Sequence, residues 1–122
     1  MASPARDRGA ATAELVMVLP ALVAVTLGLV WLLAVGAAQV RTVDAARETA
    51  RAVARGDDRS VAIAIGVRAG PHGTRVSVRS TGDQVVATAQ ARVAGPGGLF
   101  RFLPGVTVHA RAVAVDEAGD AP

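Results

Sequence analysis

Charged positions crowd the first 14 residues, vanish for the next 24, and then return in two successive rhythms. Residues 15–38 read LVMVLPALVAVTLGLVWLLAVGAA and carry no ionisable side chain. A helix of that length rises ~36 Å at ~1.5 Å per residue, which crosses a ~30 Å hydrocarbon core with some tilt. The run is apolar on every face, unlike the one-sided helix of a soluble protein. Pro20 removes one backbone donor, near the start of the span where the cost is low. Gly28 and Gly36 would let a neighbouring helix come close, as helix contacts in membranes require, although their spacing is not that of a GxxxG pair.

The first rhythm follows the span, in QVRTVDAARETARAVARG (39–56). Val40, Val43, Ala46, Ala50 and Val53 recur at steps of three or four, with Arg41, Asp44, Glu48, Arg51 and Arg55 on the remaining faces. This predicts an amphipathic extension of the same helix, continuous from about Ala10 to Arg55, with Gly56 as its C′ residue. Asp44 with Arg47 and Glu48 with Arg51 are i,i+3 pairs that add a few tenths of a kcal/mol each.

A shorter helix is expected over about Ser60 to Ala69, capped by Asp57 and Asp58, with Val61, Ile65 and Ala69 on its inner face. The alternation VAIAI there also fits a strand, and Gly66 weakens a helix. Gly70-Pro71-His72-Gly73 reads as a turn. The second rhythm, of period two, then predicts strands at Thr74–Ser80, Gln84–Ala94 and Val106–Asp116, the first two joined by the turn Ser80-Thr81-Gly82-Asp83. Val76 and Val78 alternate with Arg75, Ser77 and Arg79, so one face should be covered and one wet. The amphipathic half of the long helix is the natural cover. The fold class is therefore α+β: a long N-terminal helix, transmembrane and then amphipathic, packed on a small three-stranded antiparallel sheet. Phe100 and Phe102, in the loop GPGGLFRFLPG (95–105), are expected to plug the core's edge, with a partner-facing patch as the alternative. Residues 118–122 are expected to be a disordered tail.

Composition narrows the function. Hydrophobic residues make up 52% of the 122 and aromatic residues only 2%, so the apolar part is mostly Ala, Val and Leu, and the soluble remainder should be thin and marginally stable alone. All thirteen basic residues are Arg, yet the net charge is only +3, and no basic block with interleaved aromatics points to nucleic acid. Cysteine is absent, which removes disulfides and thiolate metal sites. His72 and His109 fall in no metal-ligand spacing. No nucleophile elbow or phosphate-cradling loop is present; Gly95-Pro96-Gly97-Gly98 is too short and Pro-interrupted. The expectation is a non-enzyme, with no cofactor, metal or small-molecule substrate.

The segment before the span is the most informative. Arg6-Asp7-Arg8-Gly9-Ala10-Ala11-Thr12-Ala13-Glu14 places one carboxylate directly against the apolar run, where an ionised group is costly unless paired or at the interface. Gly9 followed by Glu14 five residues later, after basic residues and ahead of an apolar helix, resembles the type IV prepilin cleavage signal G-x-x-x-x-E. Together with the flanking sequence, RGAATAELVMVLP before and QVRTVDAARETAR after the span, this resembles TadE-like proteins, minor pilins or pseudopilins of the tight-adherence (Flp) pilus system, the actinobacterial type in particular. The resemblance covers residues 8–56; beyond them only the strand pattern and a final acidic residue agree. It implies a prepilin-type leader over 1–9, cut by a prepilin peptidase between Gly9 and Ala10. Glu14 would then pair with the free amine of Ala10 on a neighbouring subunit, which offsets the burial of both charges. A pilin-like layout follows: helix over 10–56 with its span at about 15–38, and a small extracytoplasmic α+β domain over 57–117. The implied partners are the membrane, the peptidase, other pilins and the pilus assembly platform, and the implied location is the cell membrane, single-pass, or a pilus. Two departures stand out: Thr42 occupies a position where related actinobacterial sequences are expected to carry Cys, and Leu15 one where major Flp pilins carry Tyr.

Counting arginines opposes this orientation. Arg6 and Arg8 precede the span while Arg41, Arg47, Arg51 and Arg55 follow it, which by the positive-inside rule puts the C-terminal side in the cytoplasm. The resemblance implies the reverse. Two other functions fit the same residues. One is a single-pass anchored binding or scaffold protein that is never processed. The other is a secreted domain whose apolar run is a signal peptide cut within Ala34-Val35-Gly36-Ala37-Ala38; its apolar core would far exceed the usual ~7–15 residues.

Overall fold

Helix α1 (Pro4–Ala54) takes in the whole apolar run and its amphipathic continuation without a break, Pro20 included. The computed structural model describes residues 4–95 and 105–117; Phe100, Phe102 and the 118–122 tail lie outside them. The chain divides into two compact units, one up to Leu33 and one from Ala34 onward. In the second unit the C-terminal part of α1 is followed by helix α2 (Arg59–Ala69) and strands β1 (Arg75–Thr81), β2 (Gln84–Val93) and β3 (Val106–Val115). The expected α+β class and three-stranded antiparallel sheet are thus present, with β2 central.

Local chemistry explains the boundaries. After Ala54 the Gly56 N–H donates to the Val53 carbonyl at 2.9 Å and the Asp57 N–H to the Ala52 carbonyl at 3.1 Å, the paired bonds of a Schellman stop. Asp58 is the N-cap of α2, but its carboxylate accepts from the Ser60 hydroxyl and no backbone N–H bonds to it. Gly82 and Asp83 make the two-residue β1–β2 turn, with Gly82 at φ 61°. A glycine in the first central place is what a type II′ turn requires, and its twist matches the flanking strands.

The core departs from expectation in which residues face inward. Ala46 and Ala50 are buried as expected and Val53 packs on the core, but Val40 is 61% exposed, and the buried stripe of α1 also takes in Ala38, Thr42, Ala45, Thr49, Ala52 and Ala54. In α2 the same shift occurs: Val61 is 50% exposed, Ala62 and Gly66 are buried, and Ile63 packs on the core. The reason is distance. A Cβ built on Gly66 would overlap Thr49 Oγ1 and stand 3.1 Å from the Ala45 carbonyl oxygen, so the two helices meet almost backbone to backbone. Branched side chains cannot occupy such a seam. Periodicity extends those faces to Val40 and Val61, and at the closest approach small residues take their place.

The sheet presents Val76 and Val78 of β1, Val85, Ala87, Ala89 and Ala91 of β2, and Val108, Ala110, Ala112 and Ala114 of β3 to this seam. The largest fully buried side chains are Val85, Thr42 and Thr49. Both threonines satisfy their hydroxyls one turn back, Thr42 on the Ala38 carbonyl at 2.7 Å and Thr49 on the Ala45 carbonyl at 2.8 Å. Thr42, where the resemblance implies Cys, is a packed small residue. Of the two ion pairs expected on α1, Glu48–Arg51 forms at 3.9 Å, exposed. Asp44 and Arg47 form none among the described residues; both are exposed, where pairing gains little over hydration.

Candidate functional site on the N-terminal helix

The residues singled out before the span all lie on α1. Gly9, Ala10 and Glu14 are exposed, and a side chain at Gly9 would meet nothing within 4 Å. The helix runs through the Gly9–Ala10 bond, stitched locally by the Thr12 hydroxyl on the Arg8 carbonyl at 2.9 Å. Among the described residues no tertiary packing covers this turn, so unwinding it gives up local helical hydrogen bonds alone. Glu14 makes no ion pair or hydrogen bond among the described residues, so its carboxylate is open to another molecule.

From Leu15 to Leu33 the large aliphatic side chains are exposed by as much as 79% (Met17), and none of the named exposed ones by less than 52%. Each would gain about 1.5–3 kcal/mol from leaving water. The most apolar window of α1 has a mean hydropathy of 2.5 and no buried residue, which makes it a candidate membrane span by length and composition. Within the span Thr26 hides its hydroxyl on the Leu22 carbonyl at 2.8 Å. Gly28 and Gly36 are exposed, and a Cβ at either would touch nothing in this chain, so any packing role belongs to a second helix.

No catalytic arrangement emerges among the described residues. His72 and His109 are exposed and sit on different elements, a turn and β3, and no group of three or more His, Asp or Glu converges on a metal position. What the first unit offers is a surface: a small-residue turn, a carboxylate and a long apolar face, all suited to another chain or to lipid.

A long apolar helix continued into a small α+β unit gives the chain one candidate membrane span, consistent with membrane anchoring. The family described as TadE-like protein matches residues 9–51, beginning at Gly9, and over that stretch the resemblance read from the residues is shown. The TadE family belongs to the tight-adherence pilus system and is structural rather than enzymatic. A Mycobacterium tuberculosis protein named apoptosis inhibitor Rv3655c is 42% identical over 81 residues, 66% of this chain. The matched part spans 58% of that relative's own length. No solved structure matches the chain.

Sequence reading missed two sets of residues. The buried hydroxyls of Thr42 and Thr49 carried no periodic signal of their own. The diagonal placement of Arg75 and Arg92 on one sheet face depends on strand register, which alternation alone does not supply.

Proposed function

We propose that the chain is a minor pilin or pseudopilin of a tight-adherence type IV pilus, processed by a prepilin peptidase between Gly9 and Ala10. The observation that carries this reading is the placement of Gly9 and Glu14 on exposed turns of α1, directly ahead of the apolar run, in a segment where the TadE-like match begins. Residues 1–9 are the leader, 10–56 the membrane-spanning and amphipathic helix, and 57–117 an extracytoplasmic domain. After cleavage the Ala10 amine of one subunit faces the Glu14 carboxylate of another, and each charge offsets the desolvation of its partner. Gly28 and Gly36 admit the backbone of a neighbouring pilin helix. The partners are the peptidase, other pilins, the assembly platform and the membrane itself.

The test is the N-terminal sequence and intact mass of the chain isolated from cell membranes. A start at Ala10 is expected; a start at Met1 or Ala2 in a cell that processes its other pilins overturns the processing step. In parallel, Glu14→Ala should leave synthesis and membrane insertion intact and abolish incorporation into pili. Normal pili carrying that variant would remove Glu14 from assembly.

One observation favours a second reading. The helix is unbroken across Gly9–Ala10, and a peptidase acts on an unwound segment. If the turn stays closed in the bilayer, the chain is a permanently anchored single-pass scaffold that keeps its first nine residues. The same mass measurement separates the two.

A further inference from the structure

We infer that the second unit carries a phosphate-binding cleft for the headgroup of an anionic phospholipid, built by Arg75 and Arg92 on the outer face of the sheet. The cleft is an open surface groove of about 350 Å³, lined by Gly73, Arg75, Gln90, Ala91, Arg92 and Thr107. Among the described residues its lining carries two guanidinium groups, a carboxamide and a hydroxyl, and no acidic side chain.

Register brings these groups together. Arg75 of β1 stands opposite Gln90 of β2, Gln90 stands opposite His109 of β3, and Arg92 stands opposite Thr107. Arg75 and Arg92 are thus diagonal neighbours on one face, with Cα atoms ~7–8 Å apart by ordinary sheet geometry. Neither forms an ion pair among the described residues, in contrast to Arg51 and Arg55, which are engaged by Glu48 and Asp57. Arg92 is also held in place: its Nε lies 2.8 Å from where a Cβ on Gly105 would stand, so its side chain crosses that glycine closely. Two like charges on one sheet face, with no counter-charge among the described residues, favour an anion that joins them. Guanidinium forks match phosphate oxygens in pairs, and the Thr107 hydroxyl adds a further donor.

The source of the phosphate follows from position. Ala91 and Val108 pack on Ala38, the last residue of the apolar run, with Val35 beside it. The Arg92 end of the β2–β3 pair therefore adjoins Ala38, where the apolar run ends, and a span that ends at this residue brings the cleft toward headgroup phosphates. Gln39 marks the same level, donating to the His109 carbonyl at 3.2 Å. Arg79 lies four residues further along β1, about 13 Å away at ~3.3 Å per residue. This inference rests on the apolar run crossing a bilayer, and the experiment separates the two.

The full chain in detergent micelles is offered equal amounts of phosphatidylglycerol and phosphatidylcholine, and retained lipid is read by native mass spectrometry. Preferential retention of phosphatidylglycerol is expected. The Arg75→Gln/Arg92→Gln variant should lose about fivefold of that preference for each arginine, the fold-change equivalent to ~1 kcal/mol per basic residue at an anionic surface. Arg79→Gln should retain the wild-type preference. Equal retention of the two lipids by the wild type, or an undiminished preference in the double variant, overturns the inference. Inorganic phosphate that abolishes the preference at concentrations far below those that screen charge would assign the cleft to a free anion and overturn the headgroup. Flotation of the double variant with vesicles shows that its span is intact and assigns the lost preference to the arginines. A wild-type chain that fails to float overturns the membrane reading and this inference with it.

Discussion

Thr49 and Gly66 illustrate how a single contact can set the spacing of two helices. Gly66 is the one residue of α2 whose missing Cβ lets Thr49 close the seam. Gly66→Ala improves helix propensity by ~1 kcal/mol, yet the added methyl must displace the Thr49 hydroxyl. Overpacking of this kind costs about 1–3 kcal/mol, so the variant should be less stable on balance. Denaturant unfolding of the full chain in micelles measures it. Thr49→Ala in the same chain removes the obstructing atom, so the double variant should recover stability, with a coupling of about 0.5–3 kcal/mol. Additive losses would show that the seam relaxes by moving a helix instead.

The elements differ in how plainly their residues announce them. The span was legible because it is apolar on all sides, and no soluble packing explains so much exposed aliphatic surface. The strands were legible because Val76 and Val78 alternate with arginine and serine, and each boundary fell within a residue of its expected place. The inner faces of α1 and α2 were legible only in part. Ala46, Ala50, Val53 and Ala69 meet the core as expected, but Val40 and Val61 are exposed, while Ala38, Ala45, Ala62 and Gly66 make contact where periodicity gave no signal. Close approach depends on the partner's backbone, which no single segment reveals. At this scale the span makes its own prediction. Val25→Arg, at the middle of the run, should raise the cost of insertion by about 2.5–3.5 kcal/mol and shift the chain into the alkali-extractable fraction. Gly82→Ala should destabilise the β1–β2 hairpin by about 1–3 kcal/mol through its φ of 61°, read as faster amide exchange in both strands.

For the whole molecule the open question is direction across the bilayer, on which the arginine count and the family resemblance disagree. The absence of cysteine makes the experiment clean. A lone cysteine introduced as Arg79→Cys, on the exposed face of β1, should react with a membrane-impermeant thiol reagent in intact cells if the second unit is extracytoplasmic. Protection in intact cells with reaction after lysis would place that unit inside and exclude a pilin. The same substitution leaves Arg75 and Arg92 in place, so lipid preference can be followed in the labelled chain.

The alanine-lined seam also constrains how this protein can vary. A leucine core can drift through smaller and larger neighbours, because it has volume to give up and regain. Ala45, Ala46, Ala50, Ala52, Ala62, Ala87 and Ala89 are already near the floor of side-chain size. Nearly every replacement there adds bulk where two backbones meet, and glycine, the one smaller choice, loosens the helix or strand that bears it. In a saturation-mutagenesis screen the plainest residues of the chain should tolerate the fewest substitutions, while the showier Val40, Val61 and Val113 should accept almost any polar side chain.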